Sequence, residues 1–330
     1  MTSAAIVILN YNGRGFLADF LPTLIEHADG NEIIVADNAS TDDSCDYLNV
    51  NFPAVRLIEL DKNYGFAEGY NQALKQISTE YYAIINSDIE VTSNWIQPLV
   101  NFLNTNSDYV AVQPKILSYH DRTKFEYAGA AGGLLDQFGY PFCRGRIFEE
   151  TETDQGQYDE ILDVCWTSGA CMVIKSEVFW EVGGFDGDFF AHMEEIDLCW
   201  RLKSKGYQLA CIPDSKVFHV GGGTLSKQSA FKTYLNFRNG FTLLIKNLPV
   251  TQFWKLPIRL ILDIGAGFLF WKNYGFNHLL AVLKALSISL VMAPRSISKR
   301  LHPSDQKKAV TSIAYQYYVK GCKKYTDLNQ

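Results

Sequence analysis

Four short runs rich in β-branched residues, each followed by a helix-length segment, occupy the first 90 residues and leave few folds open. Residues 5–9, 32–36, 55–59 and 81–85 read as apolar strands of the kind buried on both faces of a sheet. Between them, 16–27, 42–49 and 66–77 are long enough for crossover helices. This alternation predicts an α/β fold with a Rossmann-like, mostly parallel sheet and flanking helices. Ligands of such sheets bind beyond the carboxyl ends of the strands. The residues after each apolar run are therefore the ones to examine.

Those residues form a series. Strand one leads into Asn10-Tyr-Asn12-Gly13 and strand two into Asp37-Asn38-Ala-Ser-Thr-Asp42. Asn63, Gly65 and, in the following helix, Asn71 come after the third; Asn86-Ser87-Asp88 ends the fourth. One such turn is ordinary; four in register point to a binding edge. Asp88, beyond a buried strand, suits a hard divalent cation whose open positions take a diphosphate, although a helix-capping turn aspartate would look the same. Asp37 stands where a ribose- or base-binding carboxylate is expected. Gly13 and Gly15 form G-x-G, but position 18 is Ala, so a mononucleotide fits better than the dinucleotide of a Rossmann oxidoreductase.

Residues 115–165, rich in Gly and Tyr and with an acidic run from 149 to 163, are expected to form a loop or lid. A Gly-interrupted strand over 164–174, a helix from Ser176, an amphipathic helix over 194–205 ending at Gly206, and short strands over 207–212 and 216–219 follow. Glu194, Glu195 and Asp197 open the amphipathic helix, where acidic residues favour the macrodipole. Clustered carboxylates also raise one another's pKa, as a general base near neutral pH requires. Arg201 is placed to pair with Asp197, leaving Glu194 and Glu195 for a ligand. His219, before three glycines, is a candidate metal or phosphate ligand.

The chain divides by charge. Residues 1–230 carry 15 Lys+Arg against 33 Asp+Glu, a balance of −18, and residues 231–330 carry 15 against 3, a balance of +12. The apolar stretches 256–271 and 279–293 fall short of a clean membrane span and, with Trp254, Trp271, Arg295, Lys299 and Arg300 nearby, suit helices lying in a membrane interface. The other reading is a helical cap on the rest of the chain or at a homodimer contact. No nucleic-acid motif accompanies the charge, so a nucleic-acid partner is not expected. Seven scattered cysteines without a C-x-x-C pair fit a reducing, cytoplasmic setting. The N-terminal apolar run has no basic stretch before it, and no signal peptide is expected.

Ile6-Val-Ile-Leu-Asn-Tyr-Asn-Gly13, Asp37-Asn-Ala-Ser-Thr-Asp-Asp-Ser44, Asn63-Tyr-Gly-Phe-Ala-Glu-Gly-Tyr-Asn-Gln72, Asn86-Ser-Asp88, Phe189-Phe-Ala-His-Met-Glu-Glu-Ile-Asp-Leu-Cys-Trp-Arg201 and His219-Val-Gly-Gly-Gly-Thr224 occur in that order. Together they resemble the family 2 glycosyltransferases, inverting enzymes of GT-A fold, and within them the rhamnosyltransferase-like enzymes of cell-surface polysaccharide assembly. The resemblance implies a catalytic domain over 1–230, with a nucleotide-sugar half to about 115 and an acceptor half beyond it, then a C-terminal helical region over 231–330. It implies a dTDP- or UDP-sugar donor, a glycan or lipid-linked acceptor, and a site at the inner face of the cell membrane. Asn10, Asn12, Asp37, Asn38, Asn63, Gly65, Asn71, Asn86 and Ser87 would line the donor, and Asp88 with His219 would hold Mg²⁺ or Mn²⁺. Glu195 would be the base, with Glu194 as the alternative and Asp197 beside them. Two positions depart from the family: Asn86 replaces the first Asp of D-x-D, and Glu replaces Asp at the base position. A nucleotide-sugar-binding protein weak in catalysis is the alternative those departures raise. The Q-x-x-R-W motif of processive synthases is absent, which favours transfer of one sugar per visit.

Overall fold

The computed structural model describes residues 4–221, 229–301 and 312–329. The expected alternation is present as β1 (Ala4–Asn10), α1 (Arg14–Glu26), β2 (Glu32–Asp37), α2 (Ser44–Asn51), β3 (Arg56–Glu59), α3 (Gly65–Leu74) and β4 (Tyr81–Ile85). Then come β5 (Ile89–Val91), α4 (Gln97–Thr105) and the long β6 (Tyr109–Ser118). A small antiparallel sheet is built from β7 (Gly133–Leu135), β8 (Pro141–Cys143), β9 (Arg146–Ile147) and β10 (Glu150–Thr151). After it follow β11 (Leu162–Asp163), β12 (Cys171–Lys175), α5 (Ser176–Glu181), α6 (Glu194–Ser204) and β13 (Gln208–His219).

The main sheet has nine strands in the order β11-β13-β6-β12-β4-β1-β2-β3, with β5 added on β13. β1, β2, β3, β4, β6 and β13 all run one way, because β12 is antiparallel to both β4 and β6. Side chains of β1 alternate between two cores: Ala5 and Val7 meet Ala67, Tyr70 and Leu74 of α3, while Ile6 and Ile8 meet Leu17 and Leu21 of α1 and Leu99 of α4. Register sets Asn10 beside Asp37 and Ile8 beside Ile85, so the turns after β1, β2 and β4 open at one edge. The seven cysteines are free thiols.

The segment 115–165 is not the loop that its composition suggests. It begins as buried β6 and continues as the small sheet, whose strands of two or three residues are too short to show a period of two. Gly139 and Gly145 turn its hairpins at φ +73 and +87, and a Cβ on Gly145 would lie 2.5 Å from the Phe125 ring. Only Cys171–Lys175 of the expected 164–174 strand is extended within the main sheet, and 208–219 is one strand with a register shift between Ile212 and Lys216.

The C-terminal part contains α7 (Ala230–Asn247), α8 (Lys255–Tyr274), α9 (Phe276–Ser298) and α10 (Ile313–Tyr318). α7, which no sequence pattern announced, belongs to two cores: Leu243 and Leu244 join α6 residues, while Phe237, Phe241 and Ile245 pack on Val282, Ala285 and Leu286 of α9. The charges that interrupt α8 are buried together. Arg259 Nε donates to Asp263 at 2.9 Å and its guanidinium to the Phe138 carbonyl at 2.7 Å. α9 is, by length and composition alone, long and apolar enough to cross a membrane: an 18-residue window of its 23 residues reaches a mean hydropathy of 1.7, and 33% of that window is buried.

Part of the C-terminal positive charge is matched inside the molecule. Lys246 of α7 bridges Asp186 (2.7 Å) and Asp197 (2.8 Å), and Lys299 and Arg295 reach Asp186 and Asp188, each at 2.6 Å. Burial alone would raise the Asp186 and Asp197 carboxyls, but Lys246 with Lys299, and Arg201 with Lys246, outweigh it and hold both low. Carboxylates depressed in the folded state contribute stability above the unfolded pKa of about 4 and lose it as pH falls through the folded value. Urea midpoints should therefore hold near neutrality and drop below about pH 4. Lys246→Met should cost about 3–5 kcal/mol at pH 7, because two buried carboxylates lose their shared cation.

Candidate active site

The turns after β1 and β2 are tied by side chains. Asn10 Nδ2 donates to Asp37 Oδ1 at 2.9 Å, Ser40 Oγ donates to the same oxygen at 2.6 Å, and the Ser40 amide donates to Asp37 Oδ2 at 2.8 Å. Asn12 Oδ1 accepts from the Thr41 amide at 2.7 Å, with Asn12 itself at φ +51. Asn10 Oδ1 is buried without a partner among the described residues. A Cβ on Gly13 would stand 2.4 Å from that oxygen and 3.6 Å from Ser87 Oγ, so Asn10, Gly13 and Ser87 meet at one point of the edge.

Asn38, Asn63 and Gly65 shape the wall of this edge. Asn38 Oδ1 accepts from the Tyr64 amide at 3.0 Å and its Nδ2 donates to Asn63 Oδ1 at 3.1 Å and to the Gly65 carbonyl at 3.0 Å. Gly65, at φ +76, lets the Phe190 ring come within 2.5 Å of where a Cβ would be. Asn71 needs correction as a donor contact. Its amide donates to the Phe185 carbonyl at 2.8 Å and accepts from the Phe185 amide at 3.0 Å, so it fastens α3 to the loop before α6. Ser40 is the addition here; it sits inside the Asp37–Ser44 motif, and only its geometry distinguishes it.

Asp88, His219 and Glu126 form a row. Asp88 Oδ1 is 3.2 Å from His219 Nε2, and His219 Nδ1 is 3.0 Å from Glu126 Oε2. All three are buried. Burial alone would lower His219, but Asp88 and Glu126 raise it to about 10; it in turn holds both carboxyls low against their own burial. Glu126 escaped sequence reading because its segment carried no register. The pair fits a hard divalent cation once the His219 proton is displaced: the Asp88 oxygen and the imidazole nitrogen, 3.2 Å apart in the ion pair, would then both face the metal, with other positions left to water and phosphate oxygens. No group of three His, Cys, Asp or Glu side chains arranged for a metal occurs among the described residues. Asn86 adds no charge, and its backbone N–H donates to the Ala170 carbonyl at 2.9 Å. Of the segment after His219, Gly222 to Thr224 lie outside the described residues.

α6 supplies the opposite wall. Asp197 is corrected as a catalytic group: it is fully buried, accepting from Arg201 and Lys246 at 2.8 Å and from Asn247 Nδ2 at 2.8 Å. Glu194 and Glu195 are different. Each has an Oε2 that is buried without a partner among the described residues. Burial pushes Glu195 up to about 7 and Glu194 well above its usual range, the charge of Glu195 adding to the latter. A Cβ on Gly169 would lie 3.6 Å from both Glu195 Cβ and the Phe66 ring, and the next residue, Ala170, accepts the Asn86 amide. Glu195 and the Asn86–Asp88 turn are thus linked through two consecutive residues, Gly169 and Ala170.

An edge where Asn10, Gly13 and Ser87 meet, a carboxylate–imidazole pair and a half-buried glutamate with one buried oxygen unpartnered fit glycosyl transfer, and comparison with known proteins agrees. The Glycosyl transferase family 2 model matches residues 5–183. The chain belongs to this family. It is 22% identical over 267 residues to the low-salt glycan biosynthesis hexosyltransferase Agl10 of Haloferax volcanii, covering 77% of this chain and 80% of that protein. It is also 22% identical over 270 residues to the N-acetylglucosaminyl-diphospho-decaprenol L-rhamnosyltransferase of Mycobacterium tuberculosis, covering 77% of this chain and 87% of that one. Among solved structures, GalNAc-T7 with UDP, GalNAc and Mn²⁺ superposes with a TM-score of 0.60 at 15% identity, over 88% of this chain and 57% of that one. The glycosyltransferase fold is therefore GT-A.

The buried glutamates predict the pH response. With Glu195 near 7 as the base that the family resemblance implies, turnover should rise about tenfold per pH unit below neutrality and level off above it. The apparent value belongs to the Glu194–Glu195 pair. Glu195→Gln should abolish that limb along with turnover, while leaving nucleoside diphosphate binding intact by calorimetry.

Proposed function

We propose that the chain is an inverting, metal-dependent hexosyltransferase that moves one sugar from a dTDP- or UDP-sugar to a hydroxyl of a glycan or polyprenyl-linked acceptor in cell-surface polysaccharide assembly. The observation that carries it is Glu195: a half-buried carboxylate with one buried oxygen unpartnered, linked through Gly169 and Ala170 to the turn that presents Asp88. Asn10, Asp37 and Ser40 bind and orient the nucleoside. Asp88 and His219 would hold Mg²⁺ or Mn²⁺, which would offset the charge on the leaving diphosphate. Glu195 takes the proton of the acceptor hydroxyl as its oxygen bonds to the anomeric carbon. The bond to the diphosphate breaks on the opposite face, its electron pair leaves with the diphosphate, and the carbon is inverted. The lower solvent access around Glu194 and Glu195 raises their basicity and limits competing attack by water.

The lipid-linked acceptor and the inner membrane face are supported by the outer surface of α8 and α9. Trp254, Ile261, Phe268, Trp271, Phe276, Leu290 and Val291 are exposed there, and Ile261 and Val291 are 70% and 76% accessible. A cavity of about 330 Å³ between α7 and α9 is lined by Phe231, Tyr234, Leu280 and Lys284. An apolar helix face with scattered cations suits anionic bilayers.

Two experiments test these readings. A panel of UDP-, dTDP- and GDP-sugars incubated with Mn²⁺ should show slow donor hydrolysis for at least one sugar, and Asp88→Ala should lose metal-dependent nucleotide binding. Metal-dependent binding without any hydrolysis or transfer would instead favour a binding protein. Flotation with vesicles containing anionic lipid should recover the chain, and Trp271→Glu with Ile261→Glu should leave it in the aqueous fraction.

A further inference from the structure

The six residues before α6 hold an unusual backbone. Phe190, His192 and Met193 lie at φ +65, +69 and +73, a region that non-glycine residues enter only where the surroundings impose it. What imposes it is visible. Asn239 of α7 is 1% accessible, and its Nδ2, which carries two protons, lies within hydrogen-bond distance of the carbonyls of Phe189 (2.9 Å), Ala191 (2.8 Å) and His192 (2.7 Å). Its Oδ1 accepts from Arg238 Nε at 2.8 Å, which fixes the amide's orientation, and Arg238 also donates to the carbonyls of Asp188 (3.0 Å) and Phe189 (2.7 Å). The Phe190 carbonyl accepts from the Phe66 amide of α3 at 2.7 Å, and that of Met193 from the Asp197 amide at 2.9 Å. Every carbonyl from Asp188 to Met193 thus has a donor, and α7 supplies four of the six.

We propose that Asn239, oriented by Arg238, is the positioning residue of this glycosyltransferase: it holds the left-handed loop that aims the Glu195 carboxyl at the acceptor hydroxyl. The proposal rests on the reading of Glu195 as the base. Asparagine suits the position because a neutral amide donates to carbonyls, whereas an aspartate of the same shape repels them. The loop's one route to relaxation is to return its residues to negative φ, which would swing the start of α6 and the glutamates with it. The contacts of Asn10, Asp37 and Asp88 lie on the β1, β2 and β4 turns; of the donor edge, it is Gly65 on which this loop packs, through Phe190.

The test uses the full chain, Mn²⁺, and the nucleotide sugar that hydrolyses fastest. Asn239→Ala should lower kcat, counted per calorimetrically titrated UDP site, by about 100-fold, the size expected of a displaced catalytic group. Donor KM should stay within about twofold, because uniform binding is untouched. Met193→Gly added to Asn239→Ala should recover about tenfold of kcat, since glycine takes positive φ without steric cost. A role in stability alone would lower the melting temperature while leaving kcat per titrated site at the wild-type value, and that result overturns the proposal; so does a fall that Met193→Gly does not relieve. Should the alanine variant not bind UDP, Asn239→Ser, which keeps one donor, is measured by the same criteria. Glu195→Gln run in parallel separates the two ideas. If it turns over normally while Asn239→Ala does not, the base assignment fails; if it is inactive while Asn239→Ala is normal, the positioning role fails.

Discussion

Asp197 keeps a full negative charge in a place that water does not reach, and the rest of the site depends on how that charge is held. Arg201 from its own helix, Lys246 and Asn247 from α7 satisfy both oxygens. A buried carboxylate needs such partners, and meeting that need fixes the rotation of α6 about its axis. Once Asp197 faces α7, the preceding glutamates face elsewhere. They end with buried, unpartnered oxygens, the property a general base requires. The pairing of one carboxylate and the unpartnered oxygens of two others are consequences of one arrangement.

The sheet supplies the second half by register alone. Pairing Asn10 with Asp37 and Ile8 with Ile85 delivers three loops to one edge, and β13, returning beside β6, brings His219 to Asp88. Gly169 and Ala170, leading into β12, close the distance between that edge and α6. The C-terminal helices are therefore more than an appendage. α7 shares the catalytic core, and Lys299 and Arg295 of the α9 end grip the Asp186–Asp188 turn. If the outer face of α8 and α9 sits on a membrane, the surface that binds lipid and the loop that carries the base belong to one packed unit.

What could be read from the sequence was what local periodicity or short spacing encodes. The first four strands and three helices followed from apolar runs, and the Asp197–Arg201 pair from its spacing of four. The long-range partners were illegible. Lys246, Asn247 and Asn239 place polar groups on the buried side of α7, so its pattern does not look like a core helix. Glu126 meets His219 because the turn after β6 folds back, the Glu126 backbone amide donating to the Ile116 carbonyl at 3.1 Å, beside the β6–β13 pairing that sets Ser118 against His219. Asn71 and Asp197 were misread for the same reason: residue type marks a group as able to serve a ligand, but only packing shows that the protein has already used it.

The most direct measurement is a crystal structure of the chain with Mn²⁺ and UDP or dTDP. The account predicts metal density between Asp88 and His219, the diphosphate on it, the nucleoside against Asn10 and Asp37, and the Glu195 carboxylate facing the open side of the terminal phosphate. Nucleotide bound away from the β1–β2 edge, or Glu195 turned from the diphosphate with no space between them for a sugar, would contradict it.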